Sequence, residues 1–261
     1  MFPILQLGPL AIQAPGLFIL AGLWLAFTLS ERAARQEGIA ENTIDNLIFL
    51  SLAAAVIFGR LGYALRYPSA FLASPLSLFS LNISLFDGQA AALGGLLTGL
   101  IYGQRQKMPF WKTLDTLTPG LAMMGLALAL AHVASGNAFG APSQVPWAIE
   151  LWGARRQPVQ IYETILAAGI LLAVWPFRGK LPSAPGTRFA VFVILTAAAR
   201  LFLEMFRGDS SLVGPGFRSA QITAWLILAV GLVGLGWLMR RQPAGQGEST
   251  VTETNPEATH E

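Results

Sequence analysis

The chain contains no cysteine, which excludes disulfides, a thiolate nucleophile supplied by the protein and cysteine-ligated metals. It has only two histidines, and one of them, His260, lies in a polar C-terminal stretch, so a histidine-built metal site is not expected. Charge is equally scarce. Charged residues make up 12% of the 261 residues, about half of the roughly 25% usual for soluble domains. With 54% hydrophobic residues and a mean hydropathy of +0.55, a water-soluble fold is excluded. No charged residue precedes Glu31, so the first apolar run lacks the basic segment of a secretory signal and reads as a retained helix. No internal repeat is visible, which removes the inverted halves common in secondary transporters.

What is present is a series of apolar runs. A membrane-crossing helix needs roughly 20 mainly apolar residues, and seven stretches qualify: 11–30, 44–65, 84–102, 114–135, 161–177, 189–206 and 220–239. The expected fold class is therefore all-α, a polytopic membrane protein of seven transmembrane helices. Residues 1–241 form the membrane domain, and 242–261 form a polar cytoplasmic tail with too little apolar surface to fold. Orientation follows from the basic residues. Arg32, Arg35, Arg105, Lys107, Lys112, Arg178, Lys180, Arg188, Arg240 and Arg241 fall on one side, ten in all and including every lysine. Arg60, Arg66, Arg155, Arg156, Arg200, Arg207 and Arg218 fall on the other, seven in all. The expected topology is N-out and C-in.

Seven arginines on the outer side need a reason. Arg200, Glu204 and Arg207 follow one another at i, i+4 and i+7 in the sixth run, on one stripe of a helix. One reading is a pairing that only holds this helix against a neighbour. The other is a guanidinium that binds a lipid phosphate, for which its planar fork of donors is suited. Further polar residues gather at the same depth: Arg60 and Tyr63 ending the second run, Gln89, Gly94 and Gly95 opening the third, and His132, Ser135 and Asn137 leaving the fourth. Gln160, Tyr162 and Glu163 enter the fifth, and Ser219 and Gln221 enter the seventh. The inner halves read as nearly free of polar groups, which places a site toward the outer leaflet. Gly94-Gly95 also suits close helix packing, Tyr63 and Tyr162 also suit interfacial anchoring, and His132 also suits a hydrogen bond within the bundle. All three readings remain open at this point.

Read in order, the segments Gly59-Arg-Leu-Gly-Tyr63, Gly94-Gly-Leu-Leu-Thr-Gly99, Arg156-Gln-Pro-Val-Gln-Ile-Tyr-Glu163, Arg200-Leu-Phe-Leu-Glu-Met-Phe-Arg207 and Ala220-Gln-Ile222 resemble the prolipoprotein diacylglyceryl transferase family, over about residues 5–241. The resemblance implies transfer of the diacylglyceryl group of phosphatidylglycerol to the lipobox cysteine of a prolipoprotein at the bacterial cytoplasmic membrane. Glycerol phosphate leaves, and no cofactor, metal or nucleic acid is required. The nucleophilic thiol arrives on the substrate, so a cysteine-free enzyme suffices. By the same resemblance Arg200 would hold the phosphate, with Glu204 and Glu163 supporting the arginines or the thiol proton. Arg60, Tyr63, Gly94, Gly95, Asn137, Gln160, Tyr162, Arg207 and Gln221 would contact substrate. The family's histidine before the double glycine is Leu93 here, an arginine near the exit of the fourth helix is Ala129, and a Tyr-Gly pair in the first helix is Pro15-Gly16. His132 is expected to take over from the missing histidine. The alternative is a non-catalytic paralogue that binds phosphatidylglycerol or lipoprotein signal peptides.

Overall fold

A computed structural model describes residues 4–7, 10–69, 86–175, 184–210, 212–213 and 217–240. Within them lie seven long helices, one on each apolar run: α1 (Ala14–Glu37), α2 (Glu41–Arg66), α3 (Gly88–Arg105), α4 (Phe110–Ser135), α5 (Val159–Ala173), α6 (Thr187–Glu204) and α7 (Ser219–Arg240). Four of them, α1, α2, α4 and α7, are long and apolar enough to cross a membrane by length and composition. The protein is thus a largely helical membrane protein. Three short antiparallel hairpins, absent from the sequence reading, complete it: β1 (Ile4–Leu7) with β2 (Leu10–Gln13), β3 (Ile149–Leu151) with β4 (Ala154–Arg156), and β5 (Leu212–Val213) with β6 (Phe217–Arg218). Arg178, Lys180, Arg241 and the 242–261 tail fall outside the described residues.

Packing is inverted relative to a soluble protein. The buried apolar residues are mostly alanines, while Trp24, Leu65, Val230 and Val233 are among the most exposed side chains. Small residues let helices approach where no water drives them together. Gly22 on α1 faces Ala127 on α4, and a Cβ on Gly120 of α4 would meet Ser30 and the Ala26 carbonyl of α1. α1 and α4 form the longest helix interface, and α2 and α3 form the next. The α2–α3 pair joins the remainder chiefly through α1.

Several expectations are corrected. α1 runs on to Glu37, so Arg32 and Arg35 are helical rather than in a loop. Hydropathy falls after residue 30, but Glu-Arg-Ala-Ala-Arg-Gln-Glu are good helix formers, and the helix stops only at Gly38 in the left-handed conformation, φ 71°. Arg35 then bridges that turn to Glu41. Lys112 likewise lies in the first turn of α4, Arg105 ends α3, and Arg188 lies in the first turn of α6. The helix halves expected to be inner are not free of polar groups either. α4 buries Thr113, Asp115, Thr116 and Thr118 near its start. The threonine hydroxyls donate to carbonyls four residues back, to Pro109, Lys112 and Leu114. Asp115 accepts from the backbone N–H groups of Gly186, at 2.5 Å, and Phe189, at 2.8 Å. α6 has no side-chain cap of its own, so a carboxylate on α4 satisfies its orphan donors and pins its N-terminus.

Candidate functional site

The other end of α4, about 30 Å from Asp115 at ~1.5 Å per residue, is tied to α5 and α6 by a short woven segment. α4 stops at Gly136, φ 77°, whose N–H donates to the His132 carbonyl. Residues 139–143 then pass between the exit of α6 and the strand that leads into α5. Ala141 N–H donates to the Phe206 carbonyl, Gly208 N–H to Phe139, Gln157 N–H to Ala141 and Ser143 N–H to Arg155. Gly140 admits no side chain, because a Cβ there would collide with the Gln157 carbonyl. Arg156 braces the crossing: its guanidinium donates to the carbonyls of Leu151 and Gly140 and lies 4.9 Å over the Phe139 ring. Arg156 is therefore an internal brace of this crossing.

This weave places three guanidiniums around one buried carboxylate. Glu204, the last residue of α6, is 0% exposed. Arg200 Nη2 lies 2.8 Å from its Oε1, Arg207 Nε 3.7 Å from the same oxygen, and Arg218 Nη1 4.0 Å from Oε2. These are ion pairs rather than aligned hydrogen bonds, since Oε1 of Glu204 accepts none. Ser210 Oγ donates to Oε2 at 2.5 Å, and Asp209 binds Arg207 through two contacts of 2.9 and 2.8 Å. The expected helical stripe is corrected here. α6 ends at Glu204 with a tightened turn, and Arg207 reaches the carboxylate from beyond the helix because its backbone bridges to Gly140. Three arginines against Glu204 and Asp209 leave the cluster with one positive charge in excess, a setting for an anion. Arg200 is the most exposed of the three, at 40% of its side chain.

A second set sits beside it. His132 Nδ1, in the last turn of α4, lies 2.9 Å from Glu163 Oε2, in the first turns of α5. Trp147 Nε1–H donates to the Tyr162 hydroxyl at 2.6 Å, Tyr162 donates to Gln157 Oε1 at 3.1 Å, and Gln157 Nε2 donates to Ser143 Oγ at 3.2 Å. The Tyr162 ring also packs edge-on against Phe206, just past α6. Gln160 is wholly buried, with neither amide atom hydrogen-bonded. Glu163 and Arg200 line one cavity of about 190 Å³ between α4, α5 and α6, whose other walls include Ala122, Gly125, Leu128, Ile170, Phe192 and Leu203. It is an apolar slot carrying one acid and one base. A larger groove of about 340 Å³, between α6 and α7 at the opposite end, is lined from Trp111 to Leu238 by apolar residues and contains none of these charges.

The remaining expected site residues lie elsewhere or stand apart. Arg60, Tyr63, Gly94 and Gly95 belong to the α2–α3 pair. There the glycines have a packing role: a Cβ at Gly94 would strike Phe58, and one at Gly95 would press on Ser51 and Ala55. Gly59 and Gly62 likewise receive Phe86 and Ala90, and the Tyr63 ring lies 4.8 Å from Tyr67. Asn137 is exposed just after α4, its N–H donating to Ser135 Oγ, and Gln221 is half-buried in the first turn of α7. Ser210 and Asp209 escaped the sequence reading. They lie beyond the helical stripe, and nothing in their spacing points to Glu204 or Arg207.

The model of the prolipoprotein diacylglyceryl transferase family matches residues 3–237. The chain belongs to this family. The chain is 31% identical over 242 residues to the phosphatidylglycerol–prolipoprotein diacylglyceryl transferase of Bordetella parapertussis, covering 89% of this chain and 92% of that one. It is 30% identical over 253 residues to the transferase of Acaryochloris marina, covering 90% and 89%, and 29% identical over 250 residues to that of Photobacterium profundum, covering 92% and 94%. The α4–α6 cluster and the α2–α3 pair therefore both lie inside the family's match. Among the described residues of this transferase-family chain, no cluster of three or more His, Asp or Glu side chains is arranged to hold a metal ion.

Proposed function

We propose that this chain transfers the diacylglyceryl group of phosphatidylglycerol to the lipobox cysteine thiol of prolipoproteins, releasing glycerol phosphate. The observation that carries this reading is the excess of guanidinium beside an apolar slot that Arg200 lines. The apolar walls of Leu128, Ile170 and Phe192 suit an acyl chain, and Arg200 among them suits a phosphate, which supports the reading. As the thiolate attacks, the ester carbon–oxygen bond breaks and negative charge grows on the departing phosphate. A fixed guanidinium in a low-dielectric site stabilises that charge at the transition state. Glu204, held by Arg207, Arg218 and Ser210, keeps Arg200 in place. Arg60 and Tyr63 on α2, Gly94 and Gly95 on α3, and Asn137, Gln160, Tyr162, Arg207 and Gln221 are the wider substrate-contact set.

The seven helices all cross the bacterial cytoplasmic membrane, N-terminus outside and C-terminus inside. The basic-residue asymmetry supports this topology, and it puts the cluster at the outer leaflet, where prolipoprotein signal peptides emerge. A transfer assay by mass spectrometry tests the reading, using purified protein, phosphatidylglycerol and a lipobox peptide. Wild type is expected to add the diacylglyceryl mass to the peptide, and Arg200→Ala is expected to lose that product. A second reading, a non-catalytic paralogue that binds phosphatidylglycerol or the signal peptide, is favoured by one observation. Ala129, which by the resemblance replaces a family arginine as Leu93 replaces a histidine, is 0% exposed and offers no group to a phosphate. Lipid binding without any mass shift in wild type would select it.

A further inference from the structure

Resting on the transferase reading, the geometry points to His132 as the catalytic general base for the substrate thiol, with Glu163 as the positioning residue that fixes its tautomer. By the resemblance, the family's histidine before the double glycine is replaced here. Leu93 fills its place on α3, where it is 61% exposed. The only histidine among the described residues is His132, on another helix, and the fold closes it onto Glu163. A carboxylate accepts hydrogen bonds and donates none. With Oε2 of Glu163 2.9 Å from Nδ1, the ring proton therefore sits on Nδ1, and Nε2 carries the free lone pair. The pair is shielded but reachable, the side chains being 23% and 17% exposed. Glu163 also forms the wall of the cavity that Arg200 borders. Glu163, which holds the base at 2.9 Å, and the phosphate-holding arginine thus line one cavity. The neighbouring acid, Glu204, is enclosed by three arginines and capped by Ser210, so it is not placed to take a proton from a substrate.

The step balances with the groups present. The thiol proton passes to Nε2 of His132, and the resulting imidazolium is stabilised by Glu163 in the manner of an acid-oriented histidine. The thiolate forms a bond to the glyceryl carbon that carries the phosphate ester. The carbon–oxygen bond breaks, and its electron pair leaves with glycerol phosphate beside Arg200. The imidazolium then returns its proton to the departing phosphate, which restores neutral His132.

The test compares two lipobox peptides in the phosphatidylglycerol transfer assay, one with cysteine and one with selenocysteine. A selenol is already ionised at neutral pH and needs no base. Wild type should transfer to both. His132→Ala and His132→Gln should be slowed at least about a hundredfold on the cysteine peptide yet stay within a few-fold of wild type on the selenocysteine peptide. Glu163→Gln should lower kcat on the cysteine peptide with KM unchanged and be similarly spared by selenocysteine. Equal slowing of both His132 variants on both peptides would assign the pair a purely structural role and overturn the proposal, as would undiminished transfer to cysteine. Wild type that transfers to neither peptide would instead refute the transferase reading on which the proposal rests.

Discussion

The α2–α3 pair and the α4–α6 end of the bundle both carry segments that resemble the same family, yet they use them differently. In α2–α3 the glycines of Gly59-Arg-Leu-Gly-Tyr63 and Gly94-Gly95 are filled by neighbouring side chains, and an ion pair there, Arg66 to Asp87 at 3.2 Å, leaves the arginine 60% exposed. At the α4–α6 end a wholly buried glutamate gathers three arginines, and an apolar cavity opens beside them. One region uses its motif to bring two helices together; the other uses its motif to concentrate charge in a place of low dielectric. The same family resemblance thus coincides with helix packing in one region and with a charged, cavity-lining cluster in the other.

Variants can break or sharpen that contrast. Arg200→Ala should have the largest effect, lowering transfer roughly a hundredfold to a thousandfold by loss of a fixed donor at the leaving phosphate, read as kcat/KM. Glu204→Gln should come next. It leaves three guanidiniums without their buried partner, so stability should fall by about 3 kcal/mol, read by thermal unfolding in detergent, together with a clear loss of transfer. On the other side of the contrast, Gly94→Val drives a side chain into Phe58 and should cost about 1–3 kcal/mol of stability by overpacking. The protein that stays folded should keep its kcat, with at most a few-fold rise in KM for phosphatidylglycerol. Loss of turnover without loss of stability would move α3 into the chemical site. Tyr162→Phe removes the hydroxyl between Trp147 and Gln157 and should cost about 1 kcal/mol, with transfer changed only a few-fold. Arg66→Ala removes an exposed arginine from the buried Asp87, which keeps its hydrogen bonds from Gln89 and Ala90 N–H, so it should cost at most about 1 kcal/mol and leave transfer unchanged.

The helices were legible in the sequence because hydropathy counts whole runs, and all seven runs became helices. Their ends were less legible. The extension of α1 to Glu37 depends on helix propensity after hydropathy has already fallen, and the cap that Asp115 lends to α6 joins residues 71 positions apart. The β3–β4 hairpin was hidden for a different reason. Its turn puts Trp152 at φ 54° before Gly153 at φ 73°, where the usual signal is Asn-Gly or Asp-Gly. Within the site, Arg200 and Glu204 were readable as a pair one helical turn apart. The meeting of His132 with Glu163 was not, because it needs two helices to dock. Arg207 was placed correctly beside Glu204 by the wrong argument: its reach comes from the bridge to Gly140, not from a helical stripe.

The most direct test of the contrast is a side-by-side measurement of kcat/KM for phosphatidylglycerol in Arg200→Ala and Arg60→Ala, one arginine from each region. Chemistry centred on the α4–α6 cluster predicts that Arg200→Ala falls at least about tenfold below Arg60→Ala, with both proteins unfolding near the wild-type temperature. Equal losses, or a greater loss in Arg60→Ala, would contradict the assignment and move the phosphate site to the α2–α3 pair.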